Sequence, residues 1–436
     1  MRGKLCKNLL LRAVCLLMLA SFLISIFSAC EKHIDEPDDK EISYNQSEDD
    51  LPTLHLCFDM LDELVGSEVS EFISRIPNMQ NVNISYEVLP KNDPERAGAL
   101  TRIRTEILAG NGPDIFICVC PRTYDDPQSL FLFPENSMDN GIFLPLDSYI
   151  PAASNMEWEN LTDVIMAAGK NESGQFLLPL SYTFKVLMME KSKSSYDANI
   201  TMSWHDMVNS DDVTIQLASG GSIYDGFADL ADYKEDILLF TENDLLSHAK
   251  KELEINEKLT QDVMEPLHIL GLTYLHAPKE GLGDVLLSGG DTNLMMIPKY
   301  NIENGISARV TSFAGINRNT DYPEEAFKVL DILLSKQTQQ NCPLYGLFFG
   351  VPTQNGLGQL SEPAMGYLEK WTMSDDNFAQ FESLREKINS VVFSSTMDIE
   401  IDNIIFEYLQ SSGSQEDLEK IVHRTYMTMQ MMLAES

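Results

Sequence analysis

Positive charge is in short supply in this sequence. Its 436 residues carry 31 Lys and Arg against 67 Asp and Glu, a formal charge of −36. No basic cluster of useful size follows residue 12. A nucleic-acid-binding surface needs Lys and Arg to displace phosphate counterions, so that class of function is excluded. Catalytic signatures are also missing. There is no His-Glu-x-x-His, no Gly-x-Ser-x-Gly and no Gly-x-x-x-x-Gly-Lys, which removes the common zinc-hydrolase, serine-hydrolase and phosphate-loop readings. His55, His205, His248, His268, His276 and His423 are scattered without metal-ligand spacing, and no cofactor or metal is expected. Cysteine is sparse. Cys57, Cys118, Cys120 and Cys342 lack the four-ligand loop spacing of a zinc site, and read as buried thiols or one long-range disulfide. Cys118 and Cys120, two apart in an apolar run, share one face of a strand.

What is present is ample apolar material: 44% of residues are hydrophobic and 22% charged, which suits folded domains rather than disorder. The length favours two or three domains. From Leu51 onward short apolar runs alternate with helical periodicity, the pattern of βαβ units and a mostly parallel, doubly wound sheet. Leu54–Phe58 reads as a buried strand, Leu61–Ile76 as an amphipathic helix and Val82–Val88 as a half-buried strand. A second helix is expected with Asp93 as N-cap and Pro94 in its first turn. Gly110-Asn111-Gly112-Pro113 ends it before a third strand, Asp114–Cys118. Farther on, Val310–Ile316 is strand-like, and Pro323-Glu324-Glu325 opens a helix running to Gln340 with its acids against the helix dipole. Ile399–Leu409 is helical. Ser414 caps the last helix, with Asp417 placed as in a capping box.

The N-terminus is read as an export signal. Arg2, Lys4, Lys7 and Arg12 precede an apolar run from Ala13 to Ala29. Phe27-Ser28-Ala29-Cys30 resembles the lipobox of bacterial lipoproteins, which implies signal removal after residue 29 and lipid attachment at Cys30. Residues 30–50, crowded with Glu31, Asp35, Glu36, Asp38, Asp39, Glu41, Glu48, Asp49 and Asp50, read as a self-repelling, extended tether.

Several segments, taken in order, resemble the extracellular solute-binding lipoproteins of bacterial ABC importers, family 1, in their carbohydrate-binding branch. Arg104–Ile115 is similar to that family's helix, Ala-Gly-x-Gly-Pro-Asp turn and strand. Leu144–Ile150 resembles the segment that follows, and Trp204-His205-Asp206-Met207 resembles a Trp-Asp-Glu-Leu helix start. Val310–Asn317 with the Glu324-Glu325-Ala326 helix is the most specific match, and Gly346–Pro352 and the C-terminal helix pair complete the order. The resemblance implies a two-lobe periplasmic-binding-protein-like α/β fold. Each lobe would be a mostly parallel sheet flanked by helices, with hinge strands between them. It places lobe 1 at 51–180 plus 308–345 and lobe 2 at 181–307 plus 346–436, with crossings near 178–184, 305–311 and 345–352.

That resemblance implies a monomeric receptor, lipid-anchored on the extracellular face of a Gram-positive-type bacterium. It would bind a mono- or oligosaccharide in the interlobe cleft and pass it to the transmembrane subunits of an ABC permease. A sensor or structural lipoprotein with a degenerate cleft, and a secreted glycosidase, are the alternatives. Sugar sites pair aromatic faces with hydrogen-bonding side chains. Candidates at strand ends and crossings are Asp59, Arg122, Tyr124, Asp125, Tyr182, Phe184, Tyr224, Asp225, Tyr300, Tyr345, Phe348, Phe349 and Trp371. Tryptophan is scarce (Trp158, Trp204 and Trp371), so stacking falls chiefly to Tyr and Phe. Trp204, Arg104, Glu106 and Asp114 are read as fold-defining.

Overall fold

The computed structural model describes residues 51–61, 65–77, 79, 81–123, 126–274, 294–355 and 375–435. Cys30 and the 30–50 segment lie outside them. Ten strands form two sheets: β1 (Thr53–Asp59), β2 (Asn83–Val88), β3 (Ile115–Val119), β4 (Leu177–Thr183), β5 (Lys185–Glu190), β6 (Ile269–Tyr274), β7 (Leu294–Pro298), β8 (Ile306–Ile316), β9 (Val351–Pro352) and β10 (Ile388–Phe393). The larger sheet runs β9-β4-β8-β3-β1-β2, and β10 pairs with β8. Pairs β1–β2, β1–β3 and β8–β10 are parallel, as the βαβ pattern predicts. Pairs β8–β3, β8–β4 and β9–β4 are antiparallel. The smaller sheet, β6-β5-β7, is antiparallel in both pairs, which differs from the expected parallel arrangement. Its strands come from distant chain segments that run in opposite directions, so no βαβ crossover joins them.

The central strands are buried on both faces. Along β1, Leu54, Leu56 and Phe58 join one apolar cluster and Cys57 the other; along β3, Ile115 and Ile117 face away from Phe116 and Cys118. This is the period-2 alternation of a covered sheet. Cys118 and Cys120 do share a face. The four described cysteines are buried free thiols, and burial pushes the Cys57, Cys118 and Cys120 thiols well above their ordinary pKa.

Helix α1 (Gly66–Arg75) buries Val69, Phe72 and Ile73, but starts later than the periodicity suggests; Leu61 is buried outside any helix. Helix α2 (Glu95–Leu108) begins after Pro94, which occupies the N-cap, and no side chain caps it. Asp93 therefore is not the cap; Asn92 O instead accepts from Arg96 N at 3.0 Å. Gly110 and Gly112 do end the helix in left-handed conformations, at φ 80° and 100°. The helix expected over 323–340 is two helices, α3 (Pro323–Leu333) and α4 (Lys336–Asn341). Ser335 separates them, because its hydroxyl accepts from Thr338 N and caps the second. Helices α5 (Thr396–Gln410) and α6 (Gln415–Ala434) follow, with Ser414 capping α6 through Asp417 N at 3.1 Å.

Two of the resembling segments meet in space. Asn317 donates to Asn111 O and Pro113 O at 3.0 and 2.9 Å, and Asp114 accepts from His55 N at 2.7 Å and Thr320 Oγ1 at 2.5 Å. Thus the Gly-Pro-Asp turn and the Asn317 turn hold β1, β3 and β8 in register. Trp204 is structural as expected: it opens a short helix capped by Ser203 and stacks on His248 at 3.6 Å. Phe227 covers the other face of His248, and burial there lowers its pKa to about 3, so the ring is neutral.

Candidate functional site

The chain passes from the larger sheet to the smaller one at Phe184, between β4 and β5. Strand β8 forms the spine beside this passage. Its first half pairs with β10 and its second half with β3, while β4 runs along its middle. The β8–β4 register shifts between Val310 and Ser312 and again before Phe313. Irregularities of this kind re-aim side chains locally. Arg309 and Thr311, two apart on β8 and so on one face of it, line a cavity of about 210 Å³ whose described lining is Arg122, Thr123, Thr183, Tyr224, Arg309, Thr311, Phe349 and Ser394. Strand ends supply its frame. Cys120 N donates to Thr311 O at 2.8 Å, Ser394 N to Val310 O at 3.0 Å, and Ser394 Oγ to Pro121 O at 2.8 Å. Two larger grooves, about 380 and 420 Å³, share Leu132 and Phe133 and mix apolar and polar lining residues. Neither includes a residue of β4 or β8.

Three of the residues picked from sequence line this cavity: Arg122, Tyr224 and Phe349. Asp225 stands beside it, with Oδ1 3.6 Å from Arg309 Nε. Phe349 has φ +56°, in the left-handed region that bulky side chains rarely adopt. Holding it there costs on the order of 1–3 kcal/mol, strain that clusters at functional sites. Gly350 makes the placement feasible: an added Cβ would come within 2.4 Å of Thr311 Oγ1 and 2.7 Å of Tyr182 O. The Arg122 guanidinium carbon lies 3.2 Å above the centre of the Phe349 ring.

Other picks go elsewhere, for identifiable reasons. Tyr182 and Phe184 are on β4 or just past it and point into the opposite apolar cluster; by strand alternation it is Thr183 that reaches the cavity. Phe184 stacks on Phe381 at 6.0 Å. Tyr300 is fully buried, with its hydroxyl bonded to Tyr196 at 2.9 Å and Ile200 O at 3.1 Å. Tyr345 donates to Leu333 O at 3.0 Å and packs edge-on against buried Phe348. Asp59 is wholly buried, accepting from Arg96 Nη2 and Leu130 N at 2.7 Å each. Tyr124, Asp125 and Trp371 lie outside the described residues.

Sequence reasoning missed Thr123, Thr183, Arg309, Thr311 and Ser394 as lining residues. Arg309 was the most legible of them, a lone charge inside the apolar run Ile306–Ile316. It is 1% exposed and sits between Asp225 and Asp398, each 3.6 Å away, with Tyr224's ring centre 4.7 Å from its Cζ. Its Nη2 donates to Tyr224 O at 3.3 Å. Burial raises the Asp398 carboxyl, although Arg309 opposes it. Asp402 is pushed up to about 7, first by burial and then by the Asp225 charge.

The 220–226 segment carrying Tyr224 is clamped from several sides. Gly221 N donates to Glu252 Oε1 at 2.5 Å, Lys185 Nζ to Gly221 O at 2.9 Å, and Ile223 N to Asp402 Oδ1 at 2.8 Å. Hydroxyls of Thr183, Thr311 and Ser394 together with two guanidiniums suit a polyhydroxylated ligand, and Phe349 and Tyr224 offer faces for C–H groups. Asp225 and Asp398 flank Arg309 at 3.6 Å but are not among the lining residues of the cavity. Among the described residues no group of three or more His, Cys, Asp or Glu could hold a metal ion.

No protein-family profile matches the sequence, and no curated protein matches it. Solved structures do. An extracellular solute-binding protein of family 1 from Alicyclobacillus acidocaldarius superposes with a TM-score of 0.55 at 14% identity, over 88% of this chain and 98% of that one. The sugar-binding protein MalE from Xanthomonas citri gives 0.55 at 12% identity, with the same two coverages. An ABC-transporter solute-binding protein from Thermotoga lettingae, bound with α-D-tagatose, gives 0.51 at 11% identity over 88% of this chain and all of that one. The chain has the two-lobe α/β fold of the extracellular solute-binding proteins. It resembles the family-1, sugar-binding members of that class across most of its length.

Proposed function

We propose that this protein is the extracellular solute-binding receptor of an ABC importer and binds a carbohydrate in the cavity between Arg122, Tyr224, Arg309 and Phe349. The observation that carries this reading is the meeting of strained Phe349, buried Arg309 and four serine and threonine side chains at the passage between the two sheets. Structural neighbours described as sugar-binding proteins support it. The lobes are taken as 51–180 plus 308–345 and 181–307 plus 346–436, so that the cavity lies in the cleft between them. Closure of the lobes would bury the ligand and add contacts made only in the closed state. The closed form would then deliver the sugar to a membrane permease. No helix among the described residues is long and apolar enough to cross a membrane, and the receptor is held at the extracellular face by lipid on Cys30.

A thermal-shift panel tests this directly. Maltose, mannobiose, D-galactose and D-tagatose are each added to the folded protein, with oligopeptides as controls. A bound sugar at a hundred times its dissociation constant stabilises by roughly 2.7 kcal/mol. Stabilisation by peptides but by no sugar would overturn the carbohydrate assignment.

A further inference from the structure

Resting on the sugar-receptor reading above, we propose that Ser181, buried behind the cavity, is a positioning residue that makes Thr311 an acceptor only, so that the ligand must donate a hydroxyl proton to it. The groups concerned are buried. Ser181, Ser312 and Phe348 are fully enclosed, and Thr311, which lines the cavity, is 3% exposed. An irregularity in β8 brings two of them together. Val310 stands opposite Tyr182 and Ser312 opposite Ser181, so Thr311 is the extra residue of a bulge. In a regular strand neighbouring side chains leave on opposite faces. Here the hydroxyls of Thr311 and Ser312 both reach Ser181 Oγ, at 2.7 and 2.6 Å. Ser181 Oγ also lies 3.1 Å from Phe348 O.

Proton counting fixes the directions of these bonds. A hydroxyl has one proton and two lone pairs, and a carbonyl oxygen only accepts. The contact with Phe348 O is therefore a donation by Ser181, and it uses the Ser181 proton. Ser181 then accepts from both Thr311 and Ser312, which fills its lone pairs. All three contacts are satisfied in this arrangement and in no other, and buried polar groups left unpaired are costly. Thr311 consequently spends its proton away from the cavity and has lone pairs left for a ligand. A sugar hydroxyl can donate to them, whereas a fluorine or an ether oxygen at the same place sets lone pairs against lone pairs. The bond to Phe348 O also holds the peptide that leads into strained Phe349, so Ser181 links Thr311 to the segment that presents the aromatic face.

Calorimetric titration compares the wild type, Ser181→Ala and Thr311→Val. The probes are maltose, mannobiose and D-galactose, with singly deoxyfluorinated derivatives of each, one per hydroxyl. In the wild type, fluorine at one hydroxyl position is expected to weaken binding about tenfold. Ser181→Ala frees the Thr311 proton to turn into the cavity, and the penalty should fall to about twofold. Thr311→Val should remove the penalty as well, with weaker binding of the parent sugar. A purely packing role for Ser181 would weaken parent and derivative alike. An unchanged ratio in Ser181→Ala therefore overturns the inference and leaves the receptor reading intact, as does a parent sugar bound equally well by the wild type and Thr311→Val. Binding of none of the three sugars to the wild type overturns both. Should Ser181→Ala not fold, neutron diffraction from the deuterated wild type decides: a deuteron on Thr311 Oγ1 directed at Ser181 is expected, and any other placement overturns the inference.

Discussion

Two buried arginines in this molecule are held by aspartates in different ways. Arg96, on α2, meets Asp59 at 2.7 Å, and its other nitrogens donate to Gln128 O at 2.7 Å and Pro90 O at 3.0 Å. Asp59's second oxygen takes Leu130 N at 2.7 Å. Arg309, on β8, stands 3.6 Å from each of Asp225 and Asp398. That separation allows strong Coulomb attraction in a buried setting but is too long for a hydrogen bond. The first arrangement is a closed rivet between a helix, a strand end and a loop. The second is a charge balance beside a cavity. Equal burial therefore does not mean equal role: the tighter pair belongs to the fold and the looser one borders the site.

Breaking the rivet should have the largest effect. Asp59→Ala leaves Arg96 buried without its carboxylate, at a cost of about 3–5 kcal/mol in urea unfolding. A loss below about 1 kcal/mol would contradict the assignment of Asp59 to the fold. Asp398→Asn should cost less, about 1–2 kcal/mol, because Asp225 still balances Arg309 and no short hydrogen bond to the guanidinium is lost. Losses of equal size in the two variants would erase the distinction between the regions.

A third effect is a pH trend. Asp402 holds its proton in the folded protein up to about pH 7, whereas in the unfolded chain it releases it near 3.8. The folded state therefore binds more protons between those values, and this contribution to stability is lost as pH rises from about 4 to about 7. Asp402→Asn lacks the trend. Its urea midpoint relative to the wild type should rise across that window, and a constant difference would place Asp402's charge elsewhere. His248 acts in the opposite sense: its depressed pKa costs stability as pH falls from about 6.5 toward 3. Measuring Asp402→Asn at several pH values separates the two.

Much of the fold was readable because it is local. Apolar runs marked β1 and β3, and alternation marked β2; Gly110 and Gly112 marked a helix end; Ser414 marked a helix start. The break at Ser335 was less visible, since apolar spacing runs on through Leu333 and Leu334 and only the hydroxyl's bond to Thr338 N divides the helix. The candidate site was readable in part. Loops after strand ends pointed to Arg122 and Tyr224, and the crossing near 345–352 pointed to Phe349. Tyr182 is the instructive case, placed away from this cavity. Aromatic character suggested a ligand contact, but strand parity turns Tyr182 inward and brings out the less conspicuous Thr183.

Composition and periodicity alone were enough to exclude a basic nucleic-acid surface and to set out an α/β order, because charge sums and hydrophobic periods are properties of the chain itself. Which side chains share a cavity is not such a property. The antiparallel pairing of the smaller sheet, the register shifts in β8 and the approach of Asp225 and Asp398 to Arg309 join residues far apart in sequence. No local period encodes those distances. They follow from how the strands pair and pack once the sheets have formed, and that pairing is what brought Arg122 onto Phe349.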